Sequence, residues 1–367
     1  MPPLSQVYVD TAVIDLPETR RILERMGIAP VAVDTPAPVF EAARQHPDSI
    51  GAGKRLLYLT RNRGSFVKHC PGTRHYTCCG YRILHFAAYC TMDCSYCILQ
   101  TYFHPPVLQY FVNIDPLRAE LAALFAKGRI ARIGTGEFTD SLIWERTTGI
   151  GRRLVKRFAG QTSAVLELKS KSVDIAGLEG IDHARKTIVS WSLNTPRVIA
   201  SEERRTASLE ARLSAAARCV QWGYPVAFHF DPMFLYDGCE AEYRDVVRRL
   251  FAAVPPEKVV WISLGTFRFM PALKPIIQDR FPDSKIVYGE LVTGLDEKMR
   301  YFKPLRIEFY RKMVSWIRQA GGHVGVYFCM EDEEVWQRAA GVSPESEGGL
   351  ERMLDRWAQH HCSLKEG

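Results

Sequence analysis

Ile83-Leu84-His85-Phe86-Ala87-Ala88 leads through Tyr89 into Cys90-Thr91-Met92-Asp93-Cys94-Ser95-Tyr96-Cys97, and this join sets the frame for the rest of the chain. The first segment is a mostly apolar run of strand length. The second places three cysteines at the spacing C-x3-C-x2-C in one tight loop. Thiolates this close together are metal ligands or part of a disulfide framework. Three of them favour an iron–sulfur cube with one iron left open over a closed four-ligand zinc site. An open iron is a place where a reaction can occur. The competing readings are a zinc site completed by Asp93 or a distant residue, and unrelated core cysteines.

Downstream of this loop a strand–loop–helix rhythm repeats. The pattern predicts strands at Ile83–Ala88, Ala131–Gly134, Ala164–Leu168, Thr187–Leu193, Val226–Phe230 and Val259–Leu264. Helices are expected between them. One begins at Asp115 with Leu117, Leu121 and Leu124 on one face and stops at Gly128. Others are expected at Arg152–Phe158, near Val173–Leu178, at Leu209–Trp222, Glu240–Val254 and Leu273–Phe281. Six such units imply a parallel sheet with helices outside it. Six rather than eight predict an α/β fold with an incomplete (βα)6 parallel TIM-like barrel, open on one side. Such an opening suits a polymer better than a metabolite. Beyond the barrel a long helix at Pro304–Ala320, a strand at His323–Phe328 and a helix at Glu331–Ala340 form a C-terminal helix/strand addition. Upstream, Val7–Val9, a helix from Pro17 to Met26, an extended Val33–Pro38 and a strand at Leu56–Leu59 make an N-terminal extension. The expected organisation is therefore an extension over 1–80, a partial barrel over 81–330, and a C-terminal helix and tail over 331–367.

In parallel barrels the active site forms where strands end. After the predicted strands come the cysteine loop, Gly134-Thr135-Gly136-Glu137-Phe138-Thr139-Asp140-Ser141, Lys169-Ser170-Lys171, Ser192-Leu193-Asn194-Thr195, His229-Phe230-Asp231-Pro232 and Gly265-Thr266. Every end carries polar or ligand-type residues after an apolar strand. One such end means little, and six facing the same mouth argue for a site.

The C-x3-C-x2-C spacing with Tyr96 before its last cysteine resembles the radical S-adenosylmethionine (SAM) superfamily. The longer string Cys94-Ser95-Tyr96-Cys97-Ile98-Leu99-Gln100-Thr101, followed by Tyr110-Phe111-Val112-Asn113-Ile114-Asp115, resembles the spore photoproduct lyase family. The resemblance extends, more weakly, from about Val7 to about Phe328. It implies a 4Fe–4S cluster on Cys90, Cys94 and Cys97, with SAM on the open iron and cleaved to a 5′-deoxyadenosyl radical. In that family the radical takes hydrogen from a thymine–thymine photoproduct in DNA. Gly134-Thr135-Gly136-Glu137 resembles the Gly-Gly-Glu region that meets the cofactor's amine, and Asp140 in the same loop joins Glu137 as a cofactor-binding candidate. Lys169 matches a lysine near the cofactor carboxylate. Ser192 and Asn194 fall in a Ser-x-Asn element at the cofactor. The basic, aromatic segment with Lys298, Arg300, Tyr301, Lys303 and Arg306 aligns with an element that touches lesion-bearing DNA. Tyr96 matches an aromatic near the cluster. Two positions depart from the family pattern. Glu137 stands where family lyases carry a cysteine that returns a hydrogen atom, and Ile98 stands where a tyrosine is expected. Cys329, which follows a predicted strand, is the leading substitute donor, ahead of Cys239 and Cys219.

Composition agrees with a soluble globular protein: 47% hydrophobic and 24% charged residues. The start of the chain lacks a basic region followed by an apolar core, and no run of eighteen apolar residues occurs. A cytoplasmic setting with no membrane is expected. Ten cysteines in 367 residues, three of them in a metal spacing, fit a reducing compartment. Cys70, Cys78 and Cys79 lie upstream of the loop. A second metal centre there is disfavoured, because adjacent cysteines suit one cube poorly. The formal charge is +7, and no acidic residue occurs between Asp48 and Asp93 while Lys54, Arg55, Arg61, Arg63, Lys68, Arg74 and Arg82 do. Such a window attracts a phosphate backbone, or is a solvated basic face. Expected partners are damaged DNA and an electron donor of the flavodoxin or ferredoxin kind. The alternatives are the same radical chemistry on a non-nucleic-acid molecule, and an iron–sulfur binding module without catalysis.

Overall fold

A computed structural model describes residues 4–72, 75–104 and 106–365. Its largest sheet has eight strands. In order they are Gly325–Phe328, Val259–Thr266, Val226–Met233, Thr187–Ser192, Ala164–Ser170, Ala131–Gly134, Arg82–Leu84 and Val67–His69. Each of the first seven runs parallel to its neighbours, and Val67–His69 closes one edge antiparallel to Arg82–Leu84. Thr187–Ser192 and Val259–Thr266 are buried along their whole length, as expected of parallel strands covered on both faces. The sheet curls into a partial barrel, as the sequence pattern predicts. The predicted C-terminal strand is its seventh parallel member, pairing Trp261 with Gly325 and Leu264 with Phe328. Gly325 is required there because a Cβ would sit 2.6 Å from the Trp357 ring of the last helix, Leu350–Cys362.

The expected first strand divides in two. Arg82–Leu84 belongs to the barrel, and Ala87–Ala88 pairs antiparallel with Leu108–Phe111 in a second sheet. That sheet runs Val31–Val33, Gln6–Asp10, Leu56–Thr60, Leu108–Phe111, Ala87–Ala88, and its first four strands are parallel. Strands of two to five residues carry too little periodicity to be read reliably from sequence. Pro38 does not hold an extended segment. It lies in the first turn of a helix, Ala37–Arg44, where its missing N–H is no loss. The helix expected near Val173–Leu178 shrinks to one 3-10 turn, Ala176–Leu178. The largest apolar cluster takes in both sheets, from Val7, Leu59 and Tyr110 to Leu84, Ile133 and Leu166, and a smaller one with Val33, Leu56 and Tyr58 covers the other face of the second sheet. Among the described residues no helix is long and apolar enough to cross a membrane.

Within the barrel, Glu167 meets His229 at 2.7 Å, both buried. Burial alone would raise the Glu167 carboxyl, but His229 and Lys169 outweigh it and bring it down to about 2. A carboxylate depressed in the folded state stabilises the fold above its unfolded pKa and loses that contribution as pH falls toward the folded value. Thermal unfolding followed by circular dichroism is therefore expected to lose stability from about pH 4.5 down to about 2. Glu167→Gln should start less stable and show a shallower decline over that window.

Candidate active site

The cysteine loop is held from three sides. Lys54, buried in the second-sheet segment, donates from Nζ to the carbonyls of Cys90 at 3.2 Å and Met92 at 2.6 Å. It also lies 3.6 Å from Asp93. Arg280, in the helix Leu273–Arg280, reaches Asp93 at 3.2 Å and Asp48 at 2.9 Å. From the third side Glu203–Arg204 pairs antiparallel with Asp93–Cys94. Glu203 is itself fixed by Arg212 at 2.5 Å, both fully buried, and the Tyr96 hydroxyl donates to Glu203. A buried charge is tolerated only when paired in this way. The loop backbone is thus a rigid mount for three sulfurs.

Those sulfurs face a cavity of about 660 Å³. Its wall includes Cys90, Cys94, Cys97, Tyr96, Glu137, Asp140, Lys169, Lys171 and Ser192, drawn from three different strand ends and the cysteine loop. Burial pushes the Cys90 thiol up to about 12 and the Cys94 thiol in the same direction. These sulfurs become thiolates only against a strong counter-charge such as iron. Among the described residues no three His, Cys, Asp or Glu side chains converge on a single-ion site, whether at the loop or around Cys70, Cys78 and Cys79.

The strand ends place the expected residues unequally. Glu137 is half-buried, 3.6 Å from the Lys169 ammonium. Burial works against charge on Lys169, but Glu137, Asp231 and Glu167 more than compensate and raise its pKa. Ser192 is buried in the cavity wall. The glycines of Gly134-Thr135-Gly136 serve packing. A Cβ at Gly134 would overlap the Tyr81 ring, and one at Gly136 would lie 2.9 Å from Lys169. Asp140 is occupied by the protein itself. It accepts from Leu142 N at 3.0 Å, Ser170 Oγ at 2.8 Å and Lys171 N at 2.9 Å, so it ties this loop to the third strand end. Asn194 is also engaged: its Nδ2 donates to Pro232 O at 2.9 Å and its Oδ1 accepts from the Tyr243 hydroxyl at 2.6 Å. It does not line the cavity.

The basic segment expected to meet DNA is turned inward. Arg300 is buried against Asp296 at 2.7 Å, and Arg306 is buried against Glu331 at 3.0 Å. The Tyr301 hydroxyl accepts from Leu235 N at 3.2 Å. Lys303 pairs with Asp332 and Glu334. Only Lys298 of the five lines the cavity, and it pairs with Asp296 at 3.1 Å. Cys329 also lies outside the main cavity. It borders a smaller one with Cys70, Cys78 and Cys79, and Arg268 approaches its sulfur at 3.4 Å. The non-cluster thiol that does line the main cavity is Cys70.

Sequence reasoning thus passed over Cys70 and Lys171. The Lys171 ammonium stands over the Tyr96 ring at 5.6 Å and has no carboxylate partner among the described residues. Its sequence signal, a second lysine two residues after Lys169, was visible. What was not visible is that Lys169 is already paired. Asp231 and Arg268 form a bidentate pair, both bonds 3.0 Å, in the same wall.

Residues 77–303 match the family model described as spore photoproduct lyase. A curated spore photoproduct lyase of Clostridium acetobutylicum is 24% identical over 81% of this chain and 86% of its own length. The Bacillus subtilis spore photoproduct lyase is 27% identical over 68% of each chain. A solved spore photoproduct lyase mutant superposes with a TM-score of 0.79 at 21% identity, covering 89% of this chain and 99% of that one. A related double mutant, solved with bound AdoMet and a dinucleoside spore photoproduct, gives 0.77 at 20% identity over 89% of this chain and 99% of that one.

Removing Lys54 strands two buried carbonyls and takes one of two cations from Asp93, which keeps Arg280. Lys54→Ala is expected to cost about 3 kcal/mol of stability in urea unfolding of the cluster-free protein. A cost below about 1 kcal/mol, the range of a surface substitution, would show that Lys54 does not hold the loop.

Proposed function

The chain belongs to the spore photoproduct lyase family of radical SAM enzymes, and we propose that its cavity takes a thymine photolesion in DNA and returns it to two thymines. The observation that carries this reading is the shared cavity wall: three cysteines, a free lysine and a Glu–Lys pair around one space. Cys90, Cys94 and Cys97 would hold a 4Fe–4S cluster, and the unliganded iron would take SAM. Together these groups would supply one-electron chemistry for removing a hydrogen atom from the lesion, with electrons from a flavodoxin- or ferredoxin-type donor.

The residues of the chain bind and orient. Lys171, without a carboxylate partner among the described residues, is the cation for the cofactor's carboxylate. Glu137 is placed to accept from its ammonium group, with Lys169 3.6 Å away on its other side. The Ser192 hydroxyl adds a hydrogen bond from the buried wall. Tyr96, fixed by Glu203, lines the cavity beside the three cysteines and would shape the space left for substrate. Cys70 holds a hydrogen at Sγ facing the cavity. Burial pushes its thiol up to about 12, so it stays protonated at neutral pH. It is the group we assign to return hydrogen to the product, in place of Cys329. A second reading, the same radical chemistry on another substrate, is favoured by the sequence resemblance, in which Glu137 falls where the family's donor cysteine is expected.

Anaerobic reconstitution tests the proposal. The reduced holoprotein is expected to form 5′-deoxyadenosine and to repair an oligonucleotide carrying the thymine photoproduct, and Cys94→Ala should abolish both. Lys171→Ala should weaken SAM binding in equilibrium dialysis by about tenfold or more, the loss expected for one charge-assisted hydrogen bond. Turnover in D2O should place deuterium in the product, and Cys70→Ala should lower that incorporation. Cofactor cleavage with no repair of any pyrimidine photolesion would favour the second reading.

A further inference from the structure

One rim of the cavity is used by none of the roles above. Ile98 and Tyr102 lie one turn apart on the short helix that follows the cysteine loop, with Tyr102 N bonded to Ile98 O at 3.2 Å. Both line the cavity, yet they are 38% and 53% exposed. The Tyr102 ring lies 5.8 Å from the Phe138 ring at an interplanar angle of 32°. Phe138 is backed by His85 at 4.6 Å. Neither ring nitrogen of His85 has a hydrogen-bond partner, and burial lowers its pKa to about 4, so it packs as a neutral ring. The Lys68 ammonium stands 5.9 Å from the Phe138 ring centre and has no carboxylate partner among the described residues. Lys68 is on Val67–His69, the edge strand at the open side of the partial barrel. Lys68 also falls in the acid-free window of the sequence.

An exposed tyrosine ring beside the half-buried Phe138 ring, with a cation that has no carboxylate partner among the described residues, matches a nucleotide chemically: bases stack on aromatic faces and the phosphate meets the ammonium. We propose that Tyr102 and Phe138, with Lys68 beside them, form a stacking platform at the cavity mouth for the nucleobase next to the lesion. The proposal rests on the nucleic-acid reading given above. It also moves the basic contact from the inward-turned Arg300 and Arg306 to the barrel's open edge. An acidic peptide could satisfy Lys68 but would leave the ring faces unused, so the charge and the rings together favour a strand of nucleic acid.

The test is fluorescence anisotropy of the reconstituted protein with labelled single-stranded oligothymidylate over a salt series. Tyr102→Ala is expected to weaken binding by about tenfold, within the range of one lost base stack, and Tyr102→Phe to preserve it. Lys68→Ala should make the slope of log K against log salt shallower by about 0.7, the value for one phosphate contact on a single strand, and Lys68→Arg should restore it. Tyr102→Ala and Lys68→Ala proteins that bind with wild-type affinity and slope would overturn the platform while leaving the nucleic-acid reading intact. Polyglutamate that competes as well as the oligonucleotide at equal charge would overturn the platform too. Wild-type protein that binds no DNA at any salt would remove the nucleic-acid reading and the platform with it.

Discussion

A buried lysine holding two carbonyls of the cysteine loop is the contact on which the site depends. Lys54 has no solvent around it, and its charge is offset by Asp93 and by the carbonyls of Cys90 and Met92. An ammonium in such a place is stable only if every partner stays put, so the contact fixes the loop as much as the loop fixes the contact. The lysine comes from the end of the helix Ser49–Gly53, just before the strand Leu56–Thr60 of the second sheet. That sheet is therefore a working part of the site, because it presents Lys54 and Asp48 to the loop from behind. Glu203 and Arg212 perform the matching task from the barrel side.

Charge is arranged in two ways around the cavity. Most ionic groups are already paired: Lys169 with Glu137, Arg268 with Asp231, Lys298 with Asp296. Such pairs shape and stiffen the wall, and of their members only Glu137 is assigned a ligand contact. Lys171 and Lys68 are different, since neither has a carboxylate partner among the described residues. One stands inside the cavity near Cys94 and the other at its mouth. A charged amino-acid cofactor within and a phosphate backbone outside would use these two positions without breaking any existing pair.

Much of this was legible in the sequence, for identifiable reasons. The cysteine spacing and the polar residues after each apolar strand are local signals, and residues after five of the six predicted strands line one cavity. The strand–helix rhythm gave the curled parallel sheet because each unit is long enough to show its period. The second sheet was missed because its strands are short and one, Leu108–Phe111, lies far along the chain from its partners. The roles of Arg300, Arg306 and Asn194 were misread because a polar side chain carries no mark of whether it is already bonded. Glu331, Asp296 and Tyr243, which occupy them, are brought in only by tertiary packing. The same limit hid Cys70, which is brought to the cavity wall by packing against the far end of the barrel. Its neighbourhood is built by contacts such as Thr77 N to Glu331 O at 3.1 Å.

The central claim is that this cavity carries a hydrogen atom from a DNA photolesion to the cofactor. The most direct measurement uses an oligonucleotide whose thymine photoproduct is deuterated at the abstracted position, incubated with SAM and the reduced holoprotein. Mass spectrometry of the 5′-deoxyadenosine then reads the transfer. Deuterium in the 5′-deoxyadenosine together with restored thymines is the result predicted. Unlabelled 5′-deoxyadenosine and an intact lesion would contradict the account.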